Sequence, residues 1–474
     1  MKKFFLFVLL VTTLTAYGQG LPVPEDATLT SLFPNSALRG AVARRLGLNG
    51  EATLTGQNLS DALAGMSGEF SAGMWNIDNA SGIEYLTGIT SLNLQHNRIA
   101  QLDVSGLVHL TELNVRGNRL TNLDVSNLTN LVTLNASWTP LSNLNVSNNP
   151  HLSYLNVGQS SLTQLDLSHN PNLTQLTVSG RQSNALTDLN LNNNTRLTHL
   201  SVGSYLLTGL DVSRLTNLTN LEVHNTNLTS LNLRNNINLT DLRINYSERL
   251  LNLDLSNNPH LTNLNLLFNK FTSLNLTHNR QLTHLNISFN RLTNLDVSNN
   301  LNLAVLEAPG NRLTTLDVSN NVNLAWLNVI GNRLTSLDVS NNRNLTRLSL
   351  AGNGLRSLDV SRNVNLAWLS VTNNRLDNLD VSHNVNLTQL EAGNEVRFLF
   401  NPPFRNNFTA LNLANNINLT HLDISGSNLT SLDISRNVNL AEITLWRTRI
   451  ASLNVANNPA LTKIEAGNRV TIIR

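Results

Sequence analysis

The chain contains no cysteine. Disulfides, thiolate metal sites and thiol nucleophiles are therefore excluded together, and so is the cysteine on which a bacterial lipid anchor is built. Lysine is nearly absent as well: only Lys2, Lys3, Lys270 and Lys463 occur, so almost every basic residue is arginine. Arginine suits planar, bidentate and stacked contacts better than lysine does. Long apolar runs are missing too. The only one, Phe4–Val11, is far short of the ~20 residues a spanning helix needs, so no membrane insertion is expected.

Strong charge of either sign is also lacking. The full chain has 32 basic and 30 acidic residues. Met1–Gly18 reads as a secretory signal peptide, with Lys2 and Lys3 as its charged start and Ala16-Tyr17-Gly18 as its cleavage site. Without Lys2 and Lys3 the balance is 30 to 30, which gives no case for nucleic-acid binding. The eleven histidines are dispersed. No H-E-x-x-H, nucleophile-elbow or phosphate-loop context surrounds any of them. Neither an enzyme, a cofactor nor a metal site is expected.

What the chain has instead is a period. The leucine opening each Leu-Asp-Val-Ser-like segment falls at Leu102, Leu123, Leu144, Leu165, Leu189, Leu210, Leu231, Leu253, Leu274, Leu295, Leu316, Leu337, Leu358, Leu379, Leu411, Leu432 and Leu453. Thirteen of the sixteen steps are 21 residues, and the others, of 24, 22 and 32, mark insertions. A period in this range means stacked coils sharing one continuous core, a form of chain that presents an extended surface for binding.

Each repeat holds two Leu-x-x-Leu-x-Val segments 11 residues apart, as in Leu313–Val318 and Leu324–Val329. Alternation of apolar and polar residues predicts two short strands per coil. Two parallel sheets follow, with coils ~4.8 Å apart. The segment 324–334 is expected on the concave side and Leu-Asp-Val-Ser on the convex side. Asn321 and Asn332 mark the turns, where a buried amide can satisfy backbone groups of the adjoining coil. Ahead of the repeats, Asn35 or Ser36 can cap a helix whose Leu38, Val42 and Leu46 share a face and which Gly47 ends.

The doubled repeat, and the N-terminal Leu32-Phe33-Pro34-Asn35 and Gly82-Ile83-Glu84-Tyr85-Leu86 segments, resemble the bacterial leucine-rich repeat proteins of the internalin type. The resemblance implies a right-handed, β-rich leucine-rich repeat solenoid with two parallel sheets and a small helical N-terminal cap. The expected divisions are a signal peptide (1–18), a cap (19–88), repeats (89–394), an insertion or former cap (395–410), and further repeats with a terminal edge (411–474). The segment 387–399 resembles 461–473, which suggests that Glu395–Phe404 is an old terminal cap left between two blocks.

Outward positions of the predicted concave strands vary, and these are the candidate site. Trp326, Arg347 and Trp368 fall side by side, with Arg347 between two indoles. Phe268, Phe289 and Ile330 extend an apolar-aromatic patch, with Glu307 and Glu391 at its flanks. Tyr154, Trp138 and Tyr246 are read as scattered. Tryptophan and arginine are the residue types that dominate binding hot spots, and exposed apolar clusters on rigid sheets mark contact surfaces. Two further rows run along the repeats. One is acidic and includes Asp296, Asp317, Asp338, Asp359 and Asp380; its free exchange with Asn favours a hydrogen-bonding role over calcium. The other is basic: Lys270, Arg291, Arg312, Arg333 and Arg375. It either balances the acidic row or grips an anionic ligand. The Asn-x-Ser/Thr triplets arise from the repeat and are weak glycosylation signals.

The expected function is recognition of a protein ligand, on a host or bacterial surface, by a secreted or cell-surface chain, with adhesion as one setting. The periplasm is a second destination. The alternatives are a carbohydrate-binding protein that uses Trp326 and Trp368 as stacking platforms, and a structural component of an envelope assembly.

Overall fold

The computed structural model describes residues 23–48, 54–180, 186–394 and 404–474. The signal-peptide segment and residues 395–403 of the insertion lie outside the described residues. The chain divides into two compact units, Met1–Leu228 and Thr229–Arg474.

The first unit begins with short helices. The helix Ser36–Arg45 is capped by Asn35, whose side chain accepts the Leu38 N–H at 3.0 Å. Leu38 and Val42 are fully buried on one face, and Gly47 takes the left-handed conformation just beyond the end (φ 69°), as helix exits favour. Helices Leu29–Leu32, with a Thr28–Ser31 capping box, and Gly56–Ala64 accompany it.

A parallel ladder follows. Strand Gly68–Ser71 pairs with Ile89–Asn93, so the ladder begins one strand earlier than the 21-residue period. Phe70 fills the inward position there. Strands Glu112–Asn114, Thr133–Asn135, Tyr154–Asn156, Gln175–Ser179, His199–Gly203 and Asn220–His224 continue it in register, Leu92 beside Leu113 and Leu113 beside Leu134.

In the second unit the ladder runs from Asp241–Asn245 through Asn263–Asn265, His284–Asn286, Val305–Glu307, Trp326–Asn328, Arg347–Ser349, Trp368–Ser370, Gln389–Glu391, His421–Asp423 and Glu442–Leu445 to Lys463–Ala466. Leu324, Leu327, Val329, Leu334 and Val339 of one coil are completely buried, and Leu337 nearly so. Each contributes roughly 1.5–3 kcal/mol by leaving water.

The second expected sheet is not a sheet along most of its length. Among the described residues, only Ser452–Asn454 and Thr471–Ile473 form a ladder on the Leu-Asp-Val-Ser side, with one isolated bridge between Asp296 and Asp317. Elsewhere the described segments carry no ladder and run into turns. The reason is in the hydrogen bonds. The Asn321 N–H bonds back to Val318 and the Leu324 N–H to Asn321, both at 3.0 Å, so the backbone closes on itself. Side-chain amides make the link between coils instead.

Those amides form two buried columns. In the first, following the strands, Asn332 donates from Nδ2 to the carbonyls of Ala308 (2.9 Å) and Val329 (3.0 Å). Its Oδ1 accepts the Leu313 N–H at 3.0 Å. In the second, on the opposite turn, Asn321 donates to Val297 (3.0 Å) and Asn300 (2.9 Å), while its Oδ1 has no partner. The same pattern recurs at Asn300, Asn342, Asn363 and Asn384. Both columns serve the backbone of the adjoining coil, as the turn asparagines predicted.

After the insertion, Asn406 takes the next place in the first column. Its Nδ2 donates to Val371 (2.9 Å) and Ala392 (3.1 Å), and its Oδ1 accepts the Leu376 N–H at 3.2 Å. Phe408 then fills the buried leucine position. The column therefore passes from Asn374 directly to Asn406 across the long step, and the Asn394 side chain bonds the Asn406 backbone instead of joining the column.

Candidate ligand-binding surface

Parallel register places Trp326 beside Arg347 and Arg347 beside Trp368. The Arg347 guanidinium lies over the Trp326 ring at 5.9 Å, at the outer range for a cation–π contact. Both indoles are half-buried while Arg347 is exposed. The indole N–H groups of Trp326 and Trp368, and the Ser349 hydroxyl, are buried without a hydrogen-bond partner.

Two residues on from each of these outward positions, the row reads Glu307, Asn328, Ser349, Ser370, Glu391 and Asp423. Glu307 and Glu391 thus stand at the two ends of a short polar run. Ser349 and Ser370 point outward yet are 1% and 2% exposed, because bulky neighbours cover these small residues. Burial pushes the Glu307 carboxyl above its ordinary range, partly offset by His284.

Beside Trp368 the surface opens into a groove of about 370 Å³. Ala351, Ser370 and Thr372 form its floor, and Ile330 and Trp368 stand at one side. The other side is acidic: Glu391, Asp423 and Glu442, with His421 among them. His421 Nε2 is 3.8 Å from Glu442. Lys463 holds Glu442 and Glu465, the latter at 2.9 Å, and those two carboxylates push its pKa up to about 12. His421, Asp423 and Glu442 were missed by sequence reasoning, which followed aromatic residues. Their signal was available as the same strand positions read beyond the insertion.

The aromatic patch divides. Phe268 and Phe289 do not line this groove. They sit on the turn after the strands, at left-handed positions (φ 54° and 56°), and stack with centroids 4.3 Å apart. Tyr246, read from the sequence as scattered, stacks on Phe268 at 4.8 Å and shares its φ. The period had hidden this, because the 22-residue step shifts Tyr246 by one place.

The acidic row has a local role. Asp317 Oδ1 accepts the Ser319 N–H at 2.9 Å, and Asp296, Asp338, Asp359 and Asp380 repeat the bond. Asn275 and Asn412 make it equally well. The Ser hydroxyl and N–H hold these carboxyls below their usual range. Among the described residues no group of acidic and histidine side chains is arranged to hold a metal ion. Among the described residues no ion pair joins the basic row to the acidic one, and the charges that shift Asp338, Asp359 and Asp380 are one another's and those of Arg362 and His383.

The functional domain of InlJ from Listeria monocytogenes is 30% identical, with a TM-score of 0.67 over 87% of this chain and 85% of that one. The chain belongs to the internalin-like leucine-rich repeat family. YopM from Yersinia enterocolitica (22% identity, TM-score 0.56, 93% of this chain and 95% of that one) shares the fold of this internalin-like chain. So does the Arabidopsis receptor kinase HAESA, solved with a peptide hormone and a co-receptor (18%, 0.57, 85% and 74%). No family model and no curated protein matches the sequence. The InlJ domain is described as including a cysteine ladder. This internalin-like chain has no cysteine, and its coils are tied by asparagine columns. Among the described residues no helix is long and apolar enough to cross a membrane. Fold and kinship together support a role as a protein-interaction module.

Proposed function

We propose that the chain is a non-catalytic recognition protein, delivered beyond the cytoplasmic membrane, that binds a protein ligand on its strand face, in adhesion or host contact. The observation that carries this reading is the placing of Trp368 beside a small-residue floor and an acidic lip. Trp326, Arg347 and Trp368 supply the amphipathic anchor surface of a binding hot spot. Ile330 and Glu391 continue it into the groove. Glu391, Asp423 and Glu442 suit a cationic side chain of the ligand, which the floor of Ala351, Ser370 and Thr372 leaves room to seat. Phe268, Phe289 and Glu307 fall outside the groove and act as a rim contact for a ligand large enough to reach them.

The test is capture of partners from host-cell and bacterial-envelope extracts. The wild-type chain is run beside Trp326→Ala/Trp368→Ala and Glu391→Gln/Asp423→Asn. A protein partner lost with both variants supports the reading. Retention by both removes the strand face as the site. Release by soluble neutral glycans would replace a protein ligand with a carbohydrate one. Capture of nothing but other copies of the chain would favour a structural role in an assembly.

A further inference from the structure

A second surface of the Thr229–Arg474 unit carries a different chemistry. Arg291, Arg312 and Arg333 follow the buried asparagines of three successive coils. Each backbone N–H donates to the coil before it, at 2.9 Å, to Phe271, Leu292 and Leu313 respectively. Their stems are thereby fixed at the coil spacing of ~4.8 Å. The next coil has Gly354 at this place, and the one after has Arg375.

The missing side chain at Gly354 leaves room for Phe404: a Cβ there would lie 3.6 Å from the Phe404 ring. The Arg375 guanidinium stacks over that ring at 4.2 Å. The adjoining column of left-handed turn residues changes character at the same coils. Tyr246, Phe268 and Phe289 give way to Gly310, Gly331 and Gly352, with φ between 64° and 68°. Where the aromatic rings stop, the glycines open a trough of about 640 Å³ walled by the four arginines.

The charges in this trough are not spent internally. Lys270, one coil earlier in the row, is paired with Glu248 at 2.5 Å. Arg291, Arg312 and Arg333 have no ion pair, and no carboxylate lines the trough, among the described residues. Like charges held this close repel one another. A ligand bearing anions at regular intervals would relieve the repulsion, and guanidinium groups match carboxylate and sulfate oxygens in bidentate fashion.

We propose that this trough binds an acidic polysaccharide, lying along the arginine row with its carboxylate or sulfate groups on Arg291, Arg312, Arg333 and Arg375. A nucleic acid fits less well. Single strands are held by successive bases stacking on aromatic platforms, and among the described residues the trough is lined by one ring, Phe404, already covered by Arg375. The chain's net charge of +2 also provides no broad field for a phosphate backbone. The site is separate from the tryptophan groove and does not depend on it.

The test titrates the purified chain calorimetrically, at low salt, with polygalacturonate and with dextran sulfate, using neutral dextran and oligothymidylate as comparisons. Two paired variants separate charge from shape. Arg312→Gln/Arg333→Gln removes two anchors from exposed positions. Gly331→Asn/Gly352→Asn fills the floor at constant charge, and Asn373 (φ 55°) already occupies that column. Binding of at least one acidic glycan, weakened at least about tenfold by each pair and unchanged in Trp326→Ala/Trp368→Ala, is the expected result. Three results overturn the proposal: no binding of either acidic glycan, binding untouched by the glycine-filling pair, or oligothymidylate bound as tightly as the glycans. The tryptophan variant keeps its failure distinct from failure of the strand-face reading.

Discussion

Asn332 accepts the backbone N–H of Leu313, nineteen residues earlier, at 3.0 Å, whereas Asn321, in the same coil and equally buried, accepts nothing. The first amide is used at both ends and the second only as a donor. Sequence usage follows this difference. The second column admits leucine at Leu107, Leu128 and Leu215, which make the same turn. The first column keeps a polar residue wherever it is described, as Asn118, Thr139, Ser160 or Ser427.

Replacement by leucine should therefore have unequal costs. Asn332→Leu strands the Leu313 N–H, while the Ala308 and Val329 carbonyls keep the amides of Asn311 and Asn353; it is expected to destabilise by about 2 kcal/mol, given ~1–3 kcal/mol for an unmet buried group. Asn321→Leu strands no group, since the Val297 and Asn300 carbonyls keep the N–H groups of Asn300 and Leu303, and it removes an orphaned oxygen, so its cost should stay below about 1 kcal/mol. Urea midpoints of the two variants measure the difference. Equal costs would refute the distinction between the columns.

The acidic row predicts a pH dependence. Its aspartates have folded pKa values below the ordinary one, because Ser N–H and hydroxyl groups hold the ionised form. Their stabilising contribution is full above ~3.9, the unfolded value, and is lost as pH falls through the lower folded values. Thermal midpoints should drop steeply below about pH 4. Replacing Asp296, Asp317, Asp338, Asp359 and Asp380 together by Asn, which keeps the bond to the following turn, should flatten that drop.

The glycine column predicts a conformational contrast. Gly331 sits at φ 64°, which β-branched residues tolerate poorly and Asn tolerates well. Gly331→Val is expected to cost about 2 kcal/mol, and Gly331→Asn well under 1 kcal/mol. Thermal melts of the two variants provide the comparison; a valine variant as stable as the asparagine one would contradict the backbone assignment.

The acidic lip predicts a spectroscopic signature. Lys463 titrates near 12 because Glu442 and Glu465 hold its ammonium. Only Lys270 and Lys463 remain once Lys2 and Lys3 are set aside, so the Lys463 resonance can be followed directly. Glu442→Gln should bring its midpoint down toward the ordinary ~10.4. A midpoint unmoved by the substitution would mean that the pair does not persist in solution.

The 21-residue spacing of leucine by itself determined the stacked coils, their register and their core, because each apolar side must be buried against the next coil. It also placed Trp326, Arg347 and Trp368 in adjacent strands, since equal spacing fixes who neighbours whom. Kinship to internalins was legible from the same motif and from the Asn35-capped helix. Pattern alone could not decide the second face. Leu-Asp-Val-Ser alternates like a strand, but turn bonds and amides take the places of a ladder there. Nor could it show that Asp423 and Glu442, whose strand positions repeat beyond the 11-residue insertion, close one groove with Glu391 and Trp368, since that depends on the insertion leaving the stack unbroken where Asn406 continues the column. Only the tertiary structure decided that, and it also divided the aromatics. The identity of a residue does not reveal its φ, and it is the left-handed turn that carries Phe268 and Phe289 away from the strand face.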